Sequence, residues 1–442
     1  MPVREHWTSR IGFIMAAVGS AVGLGNIWRF PYEAAQNGGA AFLVVNFIAI
    51  FVIGLPAILA EFVVGRRAQK NVVDAFAGVG HPAWRFVGVL GVITGFLILA
   101  YYSVVGGWVL RYFAASVTGA YFGDPSAYFS ASAAGFDALF YHTLFMALTV
   151  GIVALGVRRG IELSTKLMVP SIVLMMIALV VWASTLPGSG AGYRFFLEPD
   201  VSVIVANAET IIPAAVGEVL FTLSLGMGAM ITYASYVDSD ENLSTDGIAI
   251  VLVNTFVGYL AGLLVFPLLF AQGVNPGEPG AGAIFVSVAT AFRTLPFGEI
   301  LGVIFFAVVA LAALSSAISL LEVVVSFAVD NVSFSRPVVA ITIGGLIFLA
   351  GIPVAFDTDV LTLYDSVTSK LLLPSGVFLI TLFVGWVYGR DAVDELLHGV
   401  DSRRGRLLGL LWLWHVRIVL FAAVVMTLVL SVSEYLGISL FG

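Results

Sequence analysis

Eleven long apolar runs, each bounded by charge, proline or glycine, follow one another along this chain. Their approximate limits are 11–35, 41–65, 84–116, 138–156, 161–184, 208–237, 246–272, 298–330, 336–353, 360–389 and 407–437. Helices of this length match the hydrocarbon thickness of a bilayer. Inside lipid every backbone N–H and C=O needs an internal partner, which a helix supplies. The expected fold is therefore an all-α polytopic membrane protein. Only 11% of the residues are charged and 60% are hydrophobic, against about 25% charged in a soluble domain, so water-soluble domains are excluded. Glu5 precedes the first run, and Asn26 and Arg29 lie within it. That run therefore reads as mature structure, not as a signal peptide.

The distribution of basic residues predicts an orientation. With the N-terminus inside, fourteen fall on inner segments: Arg4, Arg10, Arg66, Arg67, Lys70, Arg85, Arg158, Arg159, Lys166, Arg336, Arg390, Arg403, Arg404 and Arg406. Only Arg194 and Arg293 fall on outer loops. This positive-inside bias predicts a cytoplasmic N-terminus, an external C-terminus and residence in the cell membrane. The outer connections 117–137, 185–207 and 273–297 read as loops with short helical pieces.

Two runs are interrupted at mid-membrane. The first reads Gly19-Ser20-Ala21-Val22-Gly23-Leu24-Gly25-Asn26, followed by Arg29, and the sixth reads Thr222-Leu223-Ser224-Leu225-Gly226-Met227-Gly228. Small residues alone would fit close helix packing. Asn26, Thr222 and Ser224, however, place polar groups at the same depth. Glycine-interrupted helices five spans apart point to a transporter built from repeats. Unwinding frees carbonyls for a cation, and half-helix N-termini offer N–H groups to a carboxylate.

These strings resemble the neurotransmitter:sodium symporter family, in its bacterial amino-acid branch. Arg4-Glu5-His6-Trp7 precedes span one, and Ala21-Val22-Gly23-Leu24-Gly25-Asn26-Ile27-Trp28-Arg29-Phe30-Pro31 is close to the family signature. Gln36-Asn37-Gly38-Gly39-Ala40-Ala41-Phe42 and Phe221-Thr222-Leu223-Ser224-Leu225-Gly226-Met227-Gly228 extend the match, which covers residues 4 to about 390. The resemblance implies one transporter domain over 1–442: two inverted five-helix repeats, about 11–184 and 208–389, and an eleventh helix at about 407–437. It implies sodium-coupled symport of an amino acid into the cell by alternating access. A proton-coupled carrier on this scaffold and a non-transporting amino-acid receptor are the alternatives.

Sodium takes about six hard oxygen ligands. For a first sodium the resemblance implies the Ala21 carbonyl, Asn26, Thr222, Asn254 and the substrate carboxylate. For a second it implies the carbonyls of Gly19, Val22 and Ala312 with the hydroxyls of Ser315 and Ser316. Hydroxyls that merely bond back to the preceding turn are the competing reading of the serine pair. Where monoamine-transporting relatives carry an aspartate, this chain has Gly23, which leaves room for a substrate bringing its own carboxylate. That carboxylate would meet the Leu24 and Gly25 amides and the Tyr102 hydroxyl. The amine would meet the carbonyls of Ala21, Phe221 and Thr222, with Ser224 alongside. Ser20, Ile98, Phe221, Met227, Ser316, Ser319 and Leu320 would surround the side chain. This lining has no charge, so a neutral hydrophobic or aromatic L-amino acid is expected.

Arg29 is ionised within a span and needs a partner. The resemblance pairs it with Asp365 in an outer gate completed by Tyr102 and Phe221. An inner gate would join Arg4 to Asp330, with Trp7, Ser235 and Tyr236 around them. Gly160 and Pro170 at the inner end of span five fit either a local unwinding or a plain kink. Lys370, His415 and Arg417 have no assigned role, and outward snorkelling is the default for them.

Chloride-dependent relatives hold the anion with a tyrosine, a glutamine and a serine, at positions that here are Asn46, Glu218 and Gly258. Chloride-independent bacterial relatives put an acid at the last of these. Glu218 lies one turn before Thr222 on the same face. It is expected to replace chloride as the negative charge balancing sodium, so that chloride is not required. The expected partners are two sodium ions, an amino acid and the bilayer. A net charge of −7 gives no footprint for nucleic acid. An enzyme is not expected: cysteine is absent, and the five histidines show no metal-ligand spacing. The sequence specifies no oligomeric state.

Overall fold

A computed structural model describes residues 5–274, 282–398 and 403–435; Arg4, expected at the inner gate, lies outside them. Eleven helical spans cross the described residues. Span one is Arg10–Ala21 continued by Gly25–Gln36 with a bend of 48°. Span six is Ala208–Thr222 and Ala229–Ala234. The others are span two Ala40–Ala68, three Pro82–Ser116, four Phe136–Ala154, five Val157–Ser184, seven Leu243–Ala271, eight Gly298–Asn331, nine Arg336–Phe356, ten Thr358–Tyr388 and eleven Gly405–Ser433. Spans four and five follow without a loop, turning at Gly156, whose φ of +91° suits glycine. Short helices Pro125–Ser132, Ser189–Leu197, Val201–Ala206 and Ala283–Arg293 lie in the connections 117–137, 185–207 and 273–297. The two inverted five-helix repeats place the breaks of spans one and six side by side, against spans three and eight.

Widened turns precede three prolines. Phe30, Leu55 and Leu373 each bond back five residues, to the carbonyls of Gly25, Ile50 and Thr368, and each is followed by proline. A proline ring collides with the carbonyl four residues earlier and donates no bond to it. A π-turn opens the helix wall there and leaves that carbonyl in need of a partner.

Span eleven supplies the partner in span two. His415 Nε2 donates to the Val52 carbonyl, four residues before Pro56, at 2.6 Å, and Trp412 Nε1 donates to the Pro56 carbonyl at 3.3 Å. Arg417 Nε donates at 2.5 Å to the Gly385 carbonyl, in the π-turn Phe383–Tyr388. Snorkelling is thus corrected for His415 and Arg417. Both reach inward, because unsatisfied carbonyls are costlier in lipid than a side chain turned toward them.

Candidate functional site

The break in span six is held by an acid that the sequence reading passed over. Glu61 of span two is buried, and its Oε1 accepts the Gly226 N–H at 2.7 Å. Gly226 has φ +80°, and a Cβ there would stand 2.5 Å from the Leu373 carbonyl, so only glycine fits. Ser224 is also left-handed, with φ +53°. A non-glycine residue in that region is strained and is retained where the surroundings enforce it. The available signal was a lone carboxylate within an apolar span.

Between the two breaks lies a small cavity of about 30 Å³. Its lining includes Ser20, Ala21, Gly23, Leu24, Gly25, Ile98, Tyr102, Phe221, Thr222, Ser224, Met227, Ser316 and Leu320. Every residue expected around the substrate lines it except Ser319, which sits one layer behind and accepts from Ser20 Oγ at 2.8 Å. The Tyr102 hydroxyl accepts the Leu24 N–H at 3.2 Å, so the two groups expected to meet a carboxylate are adjacent. A Cβ at Gly23 would lie 2.2 Å from Ser316 Oγ and 2.9 Å from the Tyr102 hydroxyl. Any side chain at position 23 would therefore enter space already filled.

The hard-oxygen groups also converge. Asn26 Nδ2 donates to Asn254 Oδ1 at 2.9 Å, Thr222 Oγ1 donates to the same oxygen at 3.3 Å, and Ala21 lines the adjoining cavity. In the second group Ser315 Oγ lies 3.0 Å from the Ala312 carbonyl and 3.3 Å from that of Val22. Ser316 Oγ lies 3.4 Å from the carbonyls of both Gly19 and Val22. Ser315 does bond back to its own preceding turn, yet five oxygens from two spans still gather there. This donor set fits a hard monovalent cation.

Above Tyr102 and Phe221 opens a vestibule of about 1010 Å³. Leu24, Gly25, Tyr102 and Phe221 line both spaces and so form the partition. The Arg29 guanidinium lies over the Phe221 ring, 4.8 Å from its centroid. The expected gate residues Arg29 and Asp365 both line this vestibule. Among the described residues no ion pair joins Arg29 to Asp365. Arg29 Nε instead lies 3.3 Å from Glu218 and 3.7 Å from Glu33. Asp365 accepts from the Tyr101 hydroxyl at 3.0 Å. The carboxylates of Asp365, Glu218 and Glu33 all lie close enough to stabilise the Arg29 charge. Glu218 is buried, and neither of its carboxylate oxygens makes a hydrogen bond. Asn46, at the corresponding position in span two, likewise has both amide atoms buried and unbonded.

The opposite face is closed. Trp7 is buried, its Nε1 donating to the Tyr233 carbonyl at 3.0 Å and its N–H to the Tyr236 carbonyl at 3.1 Å. The Tyr236 hydroxyl donates to Glu322 at 2.6 Å, and Glu322 pairs with Arg336. Ser235 is buried and bonds the Thr232 carbonyl at 2.6 Å. Asp330 accepts from Asn71 Nδ2 at 2.9 Å.

A second acid fastens the N-terminal segment to span five. Glu162 accepts the Thr8 N–H at 2.9 Å and Lys166 Nζ at 2.6 Å, and bonds the Thr8 hydroxyl. A carboxylate here also complements the positive end of span one. Gly12 lets it approach, since a Cβ would lie 2.1 Å from Glu162 Oε1. Glu5 adds a bond from the Val157 N–H at 2.6 Å. Val157–Glu162, which contains Gly160, is a π-turn, whereas the helix runs unbroken through Pro170.

Comparison with known proteins places this architecture. A model of the sodium:neurotransmitter symporter family matches residues 4–123 and 137–440. The chain is 36% identical over 438 residues to the uncharacterized sodium-dependent transporter YhdH of Bacillus subtilis (strain 168), covering 95% of this chain and 96% of that protein. It is 34% identical to an uncharacterized sodium-dependent transporter of Methanocaldococcus jannaschii, covering 99% of this chain and 91% of the relative. The crystal structure of MhsT in complex with L-phenylalanine is 40% identical, with a TM-score of 0.87 over 97% of this chain and 100% of that one. The chain therefore belongs to the sodium:neurotransmitter symporter family, and is a multi-pass membrane transporter rather than an enzyme.

Proposed function

We propose that this transporter couples sodium to the uptake of a neutral, hydrophobic or aromatic L-amino acid. The observation that carries the reading is the uncharged cavity between the two breaks, with the Tyr102 phenol and the backbone of Leu24 and Gly25 among its lining beside the apolar Ile98, Met227 and Leu320. The Leu24 and Gly25 amides and Tyr102 receive the carboxylate, and the carbonyls of Ala21, Phe221 and Thr222 receive the amine. Asn26, Thr222, Asn254 and the Ala21 carbonyl hold one sodium beside that carboxylate. Gly19, Val22, Ala312, Ser315 and Ser316 hold a second, with no requirement for chloride. The solved relative that binds L-phenylalanine supports the substrate class. With the N-terminus cytoplasmic, the vestibule faces outward and the Trp7 closure faces inward. Binding then closes Arg29, Phe221 and Tyr102 over the substrate, and release of the N-terminal segment opens the other side.

The test is uptake of labelled amino acids into proteoliposomes under an inward sodium gradient, with unlabelled competitors. Accumulation of leucine, phenylalanine or tryptophan only with sodium supports the proposal. Uptake that persists when choline replaces sodium at constant pH refutes sodium coupling.

A further inference from the structure

The hydroxyl groups at the floor of the cavity have their protons committed to the protein. Ser319 Oγ donates to the Ser316 carbonyl at 2.7 Å, and Ser224 and Ser316 donate to the Ser20 carbonyl at 3.0 and 2.9 Å. A carbonyl can only accept, so at these contacts the three hydroxyls are the donors, Ser316 Oγ having the carbonyls of Gly19 and Val22 as further acceptors at 3.4 Å. The Ser20 hydroxyl then has only Ser319 Oγ at 2.8 Å and Ser224 Oγ at 3.2 Å to which it donates. Among the described residues nothing donates to Ser20 Oγ in return. It lines the cavity and is 2% exposed, so its lone pairs have little water to accept from.

A pocket floor that accepts but does not donate discriminates between substrates of equal shape. An apolar ring leaves the lone pairs of Ser20 unused. A ring carrying an N–H or O–H fills one of them without displacing any internal bond. The walls are compatible with a ring: Ile98, Leu320 and Met227 are apolar, and the unbranched Met227 repacks readily as the cavity expands. From this accounting we infer that the side-chain pocket selects aromatic amino acids whose ring bears a hydrogen-bond donor, an indole or a phenol, with Ser20 Oγ as the acceptor. The inference rests on the amino-acid reading of this site and specifies it. Sites built to bond a substrate N–H or O–H discriminate more sharply than apolar pockets do.

The experiment is competition against labelled L-phenylalanine on the purified full chain in saturating sodium. L-tryptophan is compared with 3-benzothienyl-L-alanine, which replaces the indole N–H by sulfur at nearly constant shape, and L-tyrosine with L-phenylalanine. The expected result is tighter binding of the donor-bearing member of each pair, about tenfold for tryptophan. Ser20→Ala should bring both ratios close to unity. Ser20→Cys keeps the shape with a weaker acceptor and should give intermediate ratios, which decides the matter if the alanine variant does not fold. Equal affinities within both pairs in the unmodified protein overturn the inference and leave the amino-acid reading intact. Ratios unchanged in the Ser20 variants overturn it as well. If none of the four ligands binds in a sodium-dependent way, the amino-acid reading itself falls, and this inference with it.

Discussion

Arg29 Nε lies 3.3 Å from Glu218 Oε2, so the arginine over the partition has a buried carboxylate beside it in addition to Asp365, which lines the same vestibule. Both carboxylate oxygens of Glu218 are buried without a hydrogen bond. The pair is therefore held by charge rather than by directed bonds, and can be exchanged. If Glu218 is the negative charge that replaces chloride, replacing chloride by gluconate should leave sodium-driven uptake unchanged. Glu218→Gln should reduce uptake about tenfold, the cost of an unbalanced buried charge. Adding Gly258→Ser should make the residual uptake respond to chloride. The checks are initial rates in the two anions; strong chloride dependence of the unmodified protein would sink the idea.

Ser315 touches two carbonyls within 3.3 Å. Ser315→Ala removes one hard ligand with little change in volume. Half-activation by sodium should then require about fivefold more sodium, roughly 1 kcal/mol. Apparent substrate affinity at saturating sodium should change less. A sodium titration of uptake in mutant and parent separates the ligand from a serine that only bonds its own helix.

Positions 23 and 258 make a matched pair of glycines. A Cβ at Gly23 would stand 2.2 Å from Ser316 Oγ, whereas one at Gly258 would lie 3.5 Å from Asn26 Nδ2, an ordinary contact. Gly23→Ala and Gly23→Asp should abolish detectable amino-acid binding, the aspartate by repelling the substrate carboxylate as well. Gly258→Ala should bind within about threefold of the parent. Isothermal titration with the preferred amino acid provides the comparison, and retained binding in Gly23→Asp would mean that the substrate lies elsewhere.

Glu61 braces the unwound part of span six through the Gly226 N–H. Glu61→Ala leaves that buried donor unpaired and should cost about 2 kcal/mol. A lower Tm of the purified protein, together with slower uptake, is the expected outcome. An unchanged Tm would show that the break needs no brace.

Glu162 links the N-terminal segment to the π-turn of span five. Because the chain contains no cysteine, a single reporter cysteine can be read without background. With the reporter at Ser235, Glu162→Gln should raise its reactivity toward a thiol reagent about fivefold, a shift of roughly 1 kcal/mol toward opening on that face. Equal reaction rates would assign Glu162 to local capping alone.

Much of this was legible in the sequence for a plain reason. Apolar length reports the spans, and glycines beside Asn26, Thr222 and Ser224 report the breaks, because each property is local. The residues around the cavity followed from the resemblance, and the structure does bring them together. Partner choice was not legible. Three acids, Glu33, Glu218 and Asp365, act on Arg29, and they come from three different helices that only the folded chain brings together. The spacing of Glu218 from Thr222 fixed the side of its own helix but not what stood opposite. Glu61 could have been noticed as a lone acid in an apolar run, yet its partner is the Gly226 backbone N–H, which leaves no trace in side-chain sequence; for Glu162 only the i,i+4 pairing with Lys166 was legible, not the bonds to Thr8. The π-turns were hidden too, since a proline such as Pro170 is also carried by an unbroken helix.

The bond from His415 to the Val52 carbonyl spans 363 positions. At roughly 5–20 residues per second of synthesis, the two groups are made on the order of half a minute apart. Span two thus enters the bilayer before the imidazole that bonds this carbonyl has been made, and it waits until nearly the whole polypeptide has emerged. Completion of the second helix is a late event in the birth of this protein. A ribosome that stalls before position 415 leaves behind an assembly in which the first half of the chain lacks this tie to the last span.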